Sequence, residues 1–358
     1  MISFYSKSLD LLPHQAQQLL NDSEKRSFDL GFDWLKLLAE VALDADDHLR
    51  IYLVKENGDN AQLILPLKHK TGAQDLFALT TFYTSLYSPA VAQTHSIPIM
   101  VTCFSAIRHE IPAWHSLRLQ PLSRDADQYA QIKTALDQAG WLTFEFFCFG
   151  NWYLPISTTN YDAIFANFSS RVKSTLKRKY KLFLTNANGS LTIVTGNDNL
   201  EQFIQDYVRV YASSWKKPEP YPAFIPALIR LCAQRGWLRL GLAYIDGEIA
   251  AAQIWIVCYG RAAIYKLAYD ARFEHYSVGT LLTDHLMRYV IEVDQVKEVD
   301  YLIGDDPYKR DWMTHRRERW GLIAYNPRTI AGLLGALKQF AVDFAKKLRS
   351  GLKRNSAQ

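Results

Sequence analysis

Between residues 304 and 309 the chain reads Gly-Asp-Asp-Pro-Tyr-Lys, so two carboxylates, a phenol and an amine crowd into one short loop. Side chains of these types take up and release protons when they are held beside a reacting atom. Upstream, Ser277-Val-Gly-Thr-Leu-Leu282 opens a run with apolar residues at 281, 282, 286, 289 and 290, the spacing of one helix face. A helix begun at Ser277 and Gly279 turns its unpaired N–H groups and positive dipole end outward, an arrangement that holds a phosphate or pyrophosphate.

Alternation reveals what must position these groups. Arg261 to Tyr269 is aromatic and β-branched at alternate positions, Asp270 to Tyr276 breaks the pattern, and Val299 to Ile303 is a second short strand. Strand, turn, helix and strand bring the anion cradle and the 304–309 cluster to one end of neighbouring strands, where open α/β sheets bind ligands. Taken singly, the Ser and Gly fit an ordinary helix cap and the Gly-Asp-Asp-Pro a solvated turn. Their conjunction is what points to a site.

The segment Gly236 to Trp320 resembles the GNAT-superfamily acyltransferases, in the branch that joins Fem-type peptidyltransferases with acetyltransferase-like proteins of cellulose and exopolysaccharide biosynthesis. The resemblance is carried by Leu238-Arg-Leu-Gly-Leu-Ala-Tyr-Ile-Asp-Gly-Glu-Ile-Ala-Ala-Ala-Gln253, Tyr269-Asp270, Ser277-Val-Gly-Thr-Leu-Leu282 and Asp300-Tyr-Leu-Ile-Gly-Asp-Asp-Pro-Tyr-Lys309. It implies an α/β (α+β) fold of two tandem GNAT-like domains, each a mixed, mostly antiparallel twisted sheet flanked by helices. The wider superfamily starts its cradle with Gln or Arg and ends it with Gly or Ala. Here Tyr276 and Leu281 hold those positions, so acetyl-CoA or another acyl-CoA is an expectation.

Composition agrees with a large folded chain. The 358 residues are 49% hydrophobic and 13% aromatic, enough for two cores. No run approaches the roughly 18 apolar residues of a spanning helix, and Met1-Ile-Ser-Phe-Tyr-Ser-Lys7 lacks the order of a signal peptide. A cytoplasmic protein is expected. The four cysteines are widely spaced without a C-x-x-C pair and the nine histidines are scattered, which disfavours zinc and a disulfide framework.

Two halves of similar order follow. The first has a hairpin around Asn57-Gly-Asp-Asn60, a strand near 76–82, helices at 97–109 and 126–139, and strands at 116–122, 141–149 and 152–156. The second has a strand at 191–195, helices at 199–214 and 223–235, and a hairpin at Asp246-Gly247 before the 261–303 block. Expected domains are 1–158, without a recognisable cradle, 159–327, the acyltransferase domain, and 328–358, a basic amphipathic helix.

Two basic elements stand out. Arg171, Lys173, Lys177, Arg178, Lys179 and Lys181 surround an apolar face of Val172, Leu176, Tyr180 and Leu184. This is either a solvated helix face or a surface for a polyanion, meaning CoA phosphates or, less favoured, tRNA. At the C-terminus, Ile330, Leu333, Leu334, Leu337, Ala341, Phe344, Leu348 and Leu352 recur at helical spacing among lysines and arginines. That helix either covers the second domain or, through 330–352, meets a partner or the inner membrane surface.

Acyl transfer needs a base for the acceptor's proton, a donor or cation for the oxyanion and an acid for the leaving thiolate. Asp305 is assigned as base or acceptor-binding carboxylate, Lys309 as the cation, and Tyr308 or Tyr269 as the acid. Asp306 is expected to cap the turn before Pro307. Arg310, Arg316, Arg317 and Arg319 are expected to form a surface ion-pair set with Asp311 and Glu318. The resemblance adds that a lysine after a tyrosine at this place serves the reaction centre in Fem-type relatives. It also implies that backbone groups from Leu267 to Tyr269 bind the acyl carbonyl, and that Ser277, Val278, Gly279 and Thr280 hold the cofactor. Three functions remain open: a CoA-dependent N- or O-acyltransferase acting on a small or saccharide-linked acceptor, a Fem-type aminoacyl-tRNA-dependent transferase, and a non-catalytic accessory protein of a polysaccharide synthesis complex.

Overall fold

A computed structural model describes residues 2–5, 7–56, 60–92 and 96–355, with side chains up to residue 346 apart from Asn186. The tip of the expected 57–60 hairpin, residues 57–59, lies outside the described residues. The chain divides into two compact units, Met1–Cys148 with Glu318–Gln358, and Phe149–Arg317. The first supplies β1 (Ile2–Tyr5), α1 (His14–Glu24), α2 (Phe32–Val41), β2 (Asp47–Glu56), β3 (Asn60–Lys70), β4 (Asp75–Ala78), β5 (Ala90–Val91), α3 (Ser96–Arg108), β6 (Ser116–Ser123), α4 (Asp127–Gln138) and the start of β7 (Leu142–Pro155). The second holds the rest of β7, then α5 (Tyr161–Phe165), α6 (Ser170–Lys181), β8 (Gly189–Val194), α7 (Leu200–Ala212), α8 (Phe224–Gln234), β9 (Leu238–Ile245), β10 (Glu248–Cys258), β11 (Arg261–Tyr269), α9 (Val278–Glu292) and β12 (Glu298–Asp300). The chain then enters β13 (His315–Tyr325), which belongs to the first unit from Glu318 onward, and α10 (Ile330–Asn355).

Strands run in the order β1-β2-β3-β4-β6-β13 in the first unit, with β5 beside β3, and β8-β9-β10-β11-β12-β7 in the second. Each sheet is antiparallel apart from one pair at the same place in the order, β4 with β6 and β11 with β12. Parallel neighbours need a crossover, and α3 and α9 provide it. The α+β fold with a mixed, mostly antiparallel sheet and flanking helices is therefore present twice.

Several sequence expectations change in detail. Residues 141–149 and 152–156 form one strand, β7, because Gly150 and Asn151 continue the extended chain. Arg316, Arg317, Glu318 and Arg319, expected in a surface ion-pair set, lie on a strand, β13. Residues 318–325 group with the first unit, because Arg319 to Tyr325 pair with Ser116 to Ser123 of β6. The unit boundary lies at 148/149 where 158/159 was expected, and α10 follows β13 into the first unit.

Each unit has its own apolar core. Leu63, Leu65, Phe104, Leu119 and Trp141 are among the first, and Trp255, Leu281, Leu282, Leu286 and Val299 among the second. At the end of β12 the second core gives way to buried polar groups. Asp300 accepts from the Asn151 amide and the Leu302 N–H, while Asn151 Nδ2 also donates to the Leu302 carbonyl at 2.8 Å. The Arg317 guanidinium donates to Asn151 Oδ1 at 2.7 Å, to Glu298 Oε1 at 2.8 Å and to Asp300. This network fixes where the chain leaves the sheet. Arg317→Met should lower stability by about 3–5 kcal/mol, because it strands a buried carboxylate without its cation. Urea unfolding checks this: an unshifted midpoint would mean that the network contributes nothing net.

Candidate active site

The site begins where β11 and β12 part. Their parallel ladder pairs Arg261 with Glu298, Ala262 with Val299 and Ala263 with Asp300, and then stops. Against β10, Ile254 pairs with Lys266 and Trp255 with Ile264, so Tyr265 is the extra residue of a bulge. Bulges add twist and re-aim the strand beyond them. Leu267 and Tyr269 thus lie on a stretch of β11 facing no partner on the β12 side.

The crossover helix closes the far end. Its entry runs through a 3₁₀ turn, Ala271–Tyr276, capped by Asp270, whose carboxylate accepts from the Arg272 N–H at 2.9 Å. Ser277 sits in the left-handed region (φ +56°), and its hydroxyl caps nothing. Here the structure departs from the simple cap allowed by the sequence. Thr280 and Leu281 donate their N–H groups to the Ser277 carbonyl at 2.9 and 3.1 Å, while those of Val278 and Gly279 meet no acceptor among the described residues. A Cβ on Gly279 would lie 3.4 Å from Tyr269 Cδ1 and near nothing else. The Gly279 carbonyl is anchored from behind by buried Gln253 and by Thr283, each at 2.9 Å.

Between these walls is a cleft of about 470 Å³. Leu267, Tyr269, Ser277, Val278, Gly279, Thr280 and Tyr308 all line it, joined by Tyr301 and Trp215. Trp215 packs on Tyr269 with ring centres 4.5 Å apart, and Tyr301 meets Tyr308 edge-on at 5.7 Å. Burial raises the pKa of the Tyr269, Tyr301 and Tyr308 phenols above the ordinary value, so each remains a proton donor at neutral pH.

Asp305 and Lys309 are not in the lining. Asp305 accepts from Trp152 Nε1 at 2.6 Å and from Arg316 at 2.8 Å, and the bonded guanidinium holds it below the usual carboxylate range. A carboxylate so stabilised is a weak base. Lys309 is buried behind Tyr301, its ammonium donating to the Ile303 and Gly304 carbonyls and lying 3.4 Å from Asp306. Burial pushes its pKa down, against the pull of Asp306. The Asp306 side chain caps no turn; Lys309 draws it away. The arginines are not a surface set either, since Arg317 is built into the β12 network and Arg319 is buried against Ser123.

One group had no sequence signal. Lys216, in the loop after α7, lies over Tyr211 and cleft-lining Trp215 at 5.9 and 5.7 Å, and its ammonium has no hydrogen bond or ion pair among the described residues. Lys266, by contrast, pairs with Glu219 at 2.9 Å. Burial, reinforced by the Lys266 charge, brings the Lys216 pKa down to about 8. Around the mouth, α6 contributes Arg171 and Thr175. Its cations divide: Lys173 donates to the Ala166 carbonyl and Lys179 to that of His275, whereas exposed Lys177, Arg178 and Lys181 have no such partner among the described residues. The buried Asp284 carboxylate accepts from Tyr161 and Tyr180, tying α5 and α6 to α9.

Residues 170–310 match the acetyltransferase (GNAT) domain family. The whole chain is similar in fold to solved structures of low sequence identity. It superposes on FemX with a TM-score of 0.61 at 10% identity, covering 87% of this chain and 96% of FemX. A conserved protein of unknown function from Bacteroides thetaiotaomicron gives 0.58 at 9% identity, covering 91% and 100%. The C-terminal domain of a protein described as a lysylphosphatidylglycerol synthetase, from Agrobacterium fabrum, gives 0.55 at 11%, covering 89% and 95%. No curated protein matches the sequence.

The Lys216 environment has a direct test. At pH 8 about half of a group with this pKa is free amine, against well under ~1% of a lysine near 10.4. Brief trinitrobenzenesulfonate treatment followed by peptide mapping should modify Lys216 before the other lysines. Labelling no faster than that of Lys177 would remove the perturbed amine from the site.

Proposed function

We propose that the chain transfers an acyl group, the acetyl group first among candidates, from CoA to an amine or hydroxyl acceptor. The observation that carries this reading is the pair of free N–H groups of Val278 and Gly279 at the open end of a parted parallel strand pair. Such N–H groups at a helix start bind a pyrophosphate, and the gap beside Leu267 and Tyr269 accommodates an extended arm leading to the thioester. The cleft volume is in the ordinary range for a small-molecule site. Tyr308 and Tyr269, both protonated, are the candidates to protonate the departing thiolate. Lys309 acts through the Gly304 turn it holds, and Asp305 orients the same turn through Trp152 and Arg316. Lys216, next to cleft-lining Trp215 and uncharged for part of the time, is the candidate proton acceptor. A saccharide-linked acceptor of cell-envelope or exopolysaccharide biosynthesis fits the branch, and a cytoplasmic location fits a CoA donor. Gly279→Val should weaken CoA binding at least about tenfold while leaving the fold intact, because the added methyl groups occupy the approach to the N–H pair. Equal calorimetric affinity in variant and parent would sink the cradle.

A second reading, an aminoacyl-tRNA donor, is favoured by one observation: Lys177, Arg178 and Lys181 lie exposed on a helix whose first turns border the cleft. A polynucleotide held there would bind with a steep salt dependence, the log–log slope falling by about one for each cation removed, whereas a single CoA 3′-phosphate gives a shallow one. Filter binding of bulk tRNA separates them. Absence of binding at low salt excludes tRNA, and a steep slope that flattens in Lys177→Gln with Arg178→Gln displaces CoA as the preferred donor.

A further inference from the structure

The C-terminal helix packs the wrong way round for a helix whose large apolar face covers a core. α10 meets the first unit through its small residues. A Cβ on Gly332 would come within 2.2 Å of the Asn326 carbonyl oxygen, one on Gly335 within 2.5 Å of Tyr325 Cε1, and Ala336 is buried. The large residues point outward: Ile330 is 80% exposed, Leu334 61%, Leu337 65% and Phe340 64%, with Leu333 and Phe344 also open to solvent. The helix therefore leaves its large apolar side chains in solvent among the described residues.

At ~100° per residue these six side chains, continued in sequence by Leu348 and Leu352, fall within a stripe roughly 120° wide. In the sequence, helical spacing puts Lys338 and Arg349 to one side of this apolar pattern and Lys347 and Arg354 to the other. Between residues 330 and 354 six lysines and arginines face a single carboxylate, Asp343. That pattern selects among occupants. A second copy would set six cations against six, whereas an anionic surface takes both features at once, the leucines and phenylalanines entering the acyl boundary while the flanking cations reach the headgroups. Among the described residues no helix is long and apolar enough to cross a membrane, so the face lies on a bilayer and does not span it.

We propose that α10 docks the protein flat on an anionic phospholipid surface through Ile330, Leu333, Leu334, Leu337, Phe340 and Phe344. This attachment is independent of whether the cleft binds CoA, since the helix belongs to the other unit.

The test is co-sedimentation of the full chain with sucrose-loaded vesicles of phosphatidylglycerol and phosphatidylcholine, against vesicles of phosphatidylcholine alone. The parent should bind the mixed vesicles at least about tenfold more tightly and release in high salt. Leu334→Asp with Leu337→Asp, at positions already in solvent, should lower partitioning about 100-fold, the loss of two buried leucines, with an unchanged thermal melt and unchanged CoA calorimetry. Equal sedimentation of parent and double variant overturns the proposal, and so does equal binding to neutral vesicles. A concentration-dependent dimer in the ultracentrifuge that the double variant abolishes, without vesicle binding, assigns the face to a second copy instead.

Discussion

Parallel strands that stop pairing release backbone N–H and C=O groups inside the protein, and each must find a partner. In the second unit β11 and β12 part after three pairs, and several of the released groups on the β12 side are met by side chains. The Leu302 N–H goes to Asp300, the Leu302 carbonyl to Asn151, and the Ile303 and Gly304 carbonyls to Lys309. Arg317 then neutralises Asp300 and fixes Asn151. The opening is thus held by a polar framework with little freedom to collapse, and the cleft exists because the strands cannot re-pair.

The same accounting explains the division of labour among charged groups. Lys309 has its ammonium committed to two carbonyls, which makes it a part of the scaffold, while burial moves its pKa downward. Lys216, close enough to feel the Lys309 charge, has no such commitment among the described residues, and burial lowers the pKa of its amine beside the aromatic wall. The phenols lining the cleft are raised, and the nearby carboxylate Asp305 is lowered by Arg316. In the proposed reading the phenols serve as acids and Lys216 as a base, the separation of roles that general acid–base chemistry requires.

Much of this was legible from local pattern. The period-2 run at 261–269, the 3.6 period from Leu281 to Val290 and the turn pair Asp246-Gly247, both at positive φ, each produced the expected element. These signals depend on neighbours in sequence. What pattern did not reveal was decided at long range: Asp300 is held by Asn151, 149 residues away, and Arg319 by Ser123, 196 residues away. Charge spacing around Arg316 to Arg319 read as solvated surface because nothing local distinguishes a buried, fully partnered arginine from an exposed one. At the proposed Ser277 cradle the sequence allowed a serine cap, whereas Ser277 lies in the left-handed region and its side chain makes no cap hydrogen bond.

The two units share a strand order, yet they treat the parted strand end differently. After β4 the chain continues through residues 79–91, where Tyr83 and Tyr87 are buried, the Tyr87 N–H donates to the Pro121 carbonyl at the end of β6, and the Leu79 N–H donates to Pro66. Buried Asp29 accepts from the Ser85 and Leu86 N–H groups and clamps that segment in place. The first unit therefore meets its strand-end backbone with its own chain. After β11 the second unit turns at once into a 3₁₀ segment and helix, and the N–H groups of cleft-lining Val278 and Gly279 meet no acceptor among the described residues. Among the described residues, connection length rather than strand order is what distinguishes the strand end met by its own chain from the one that opens on the cleft.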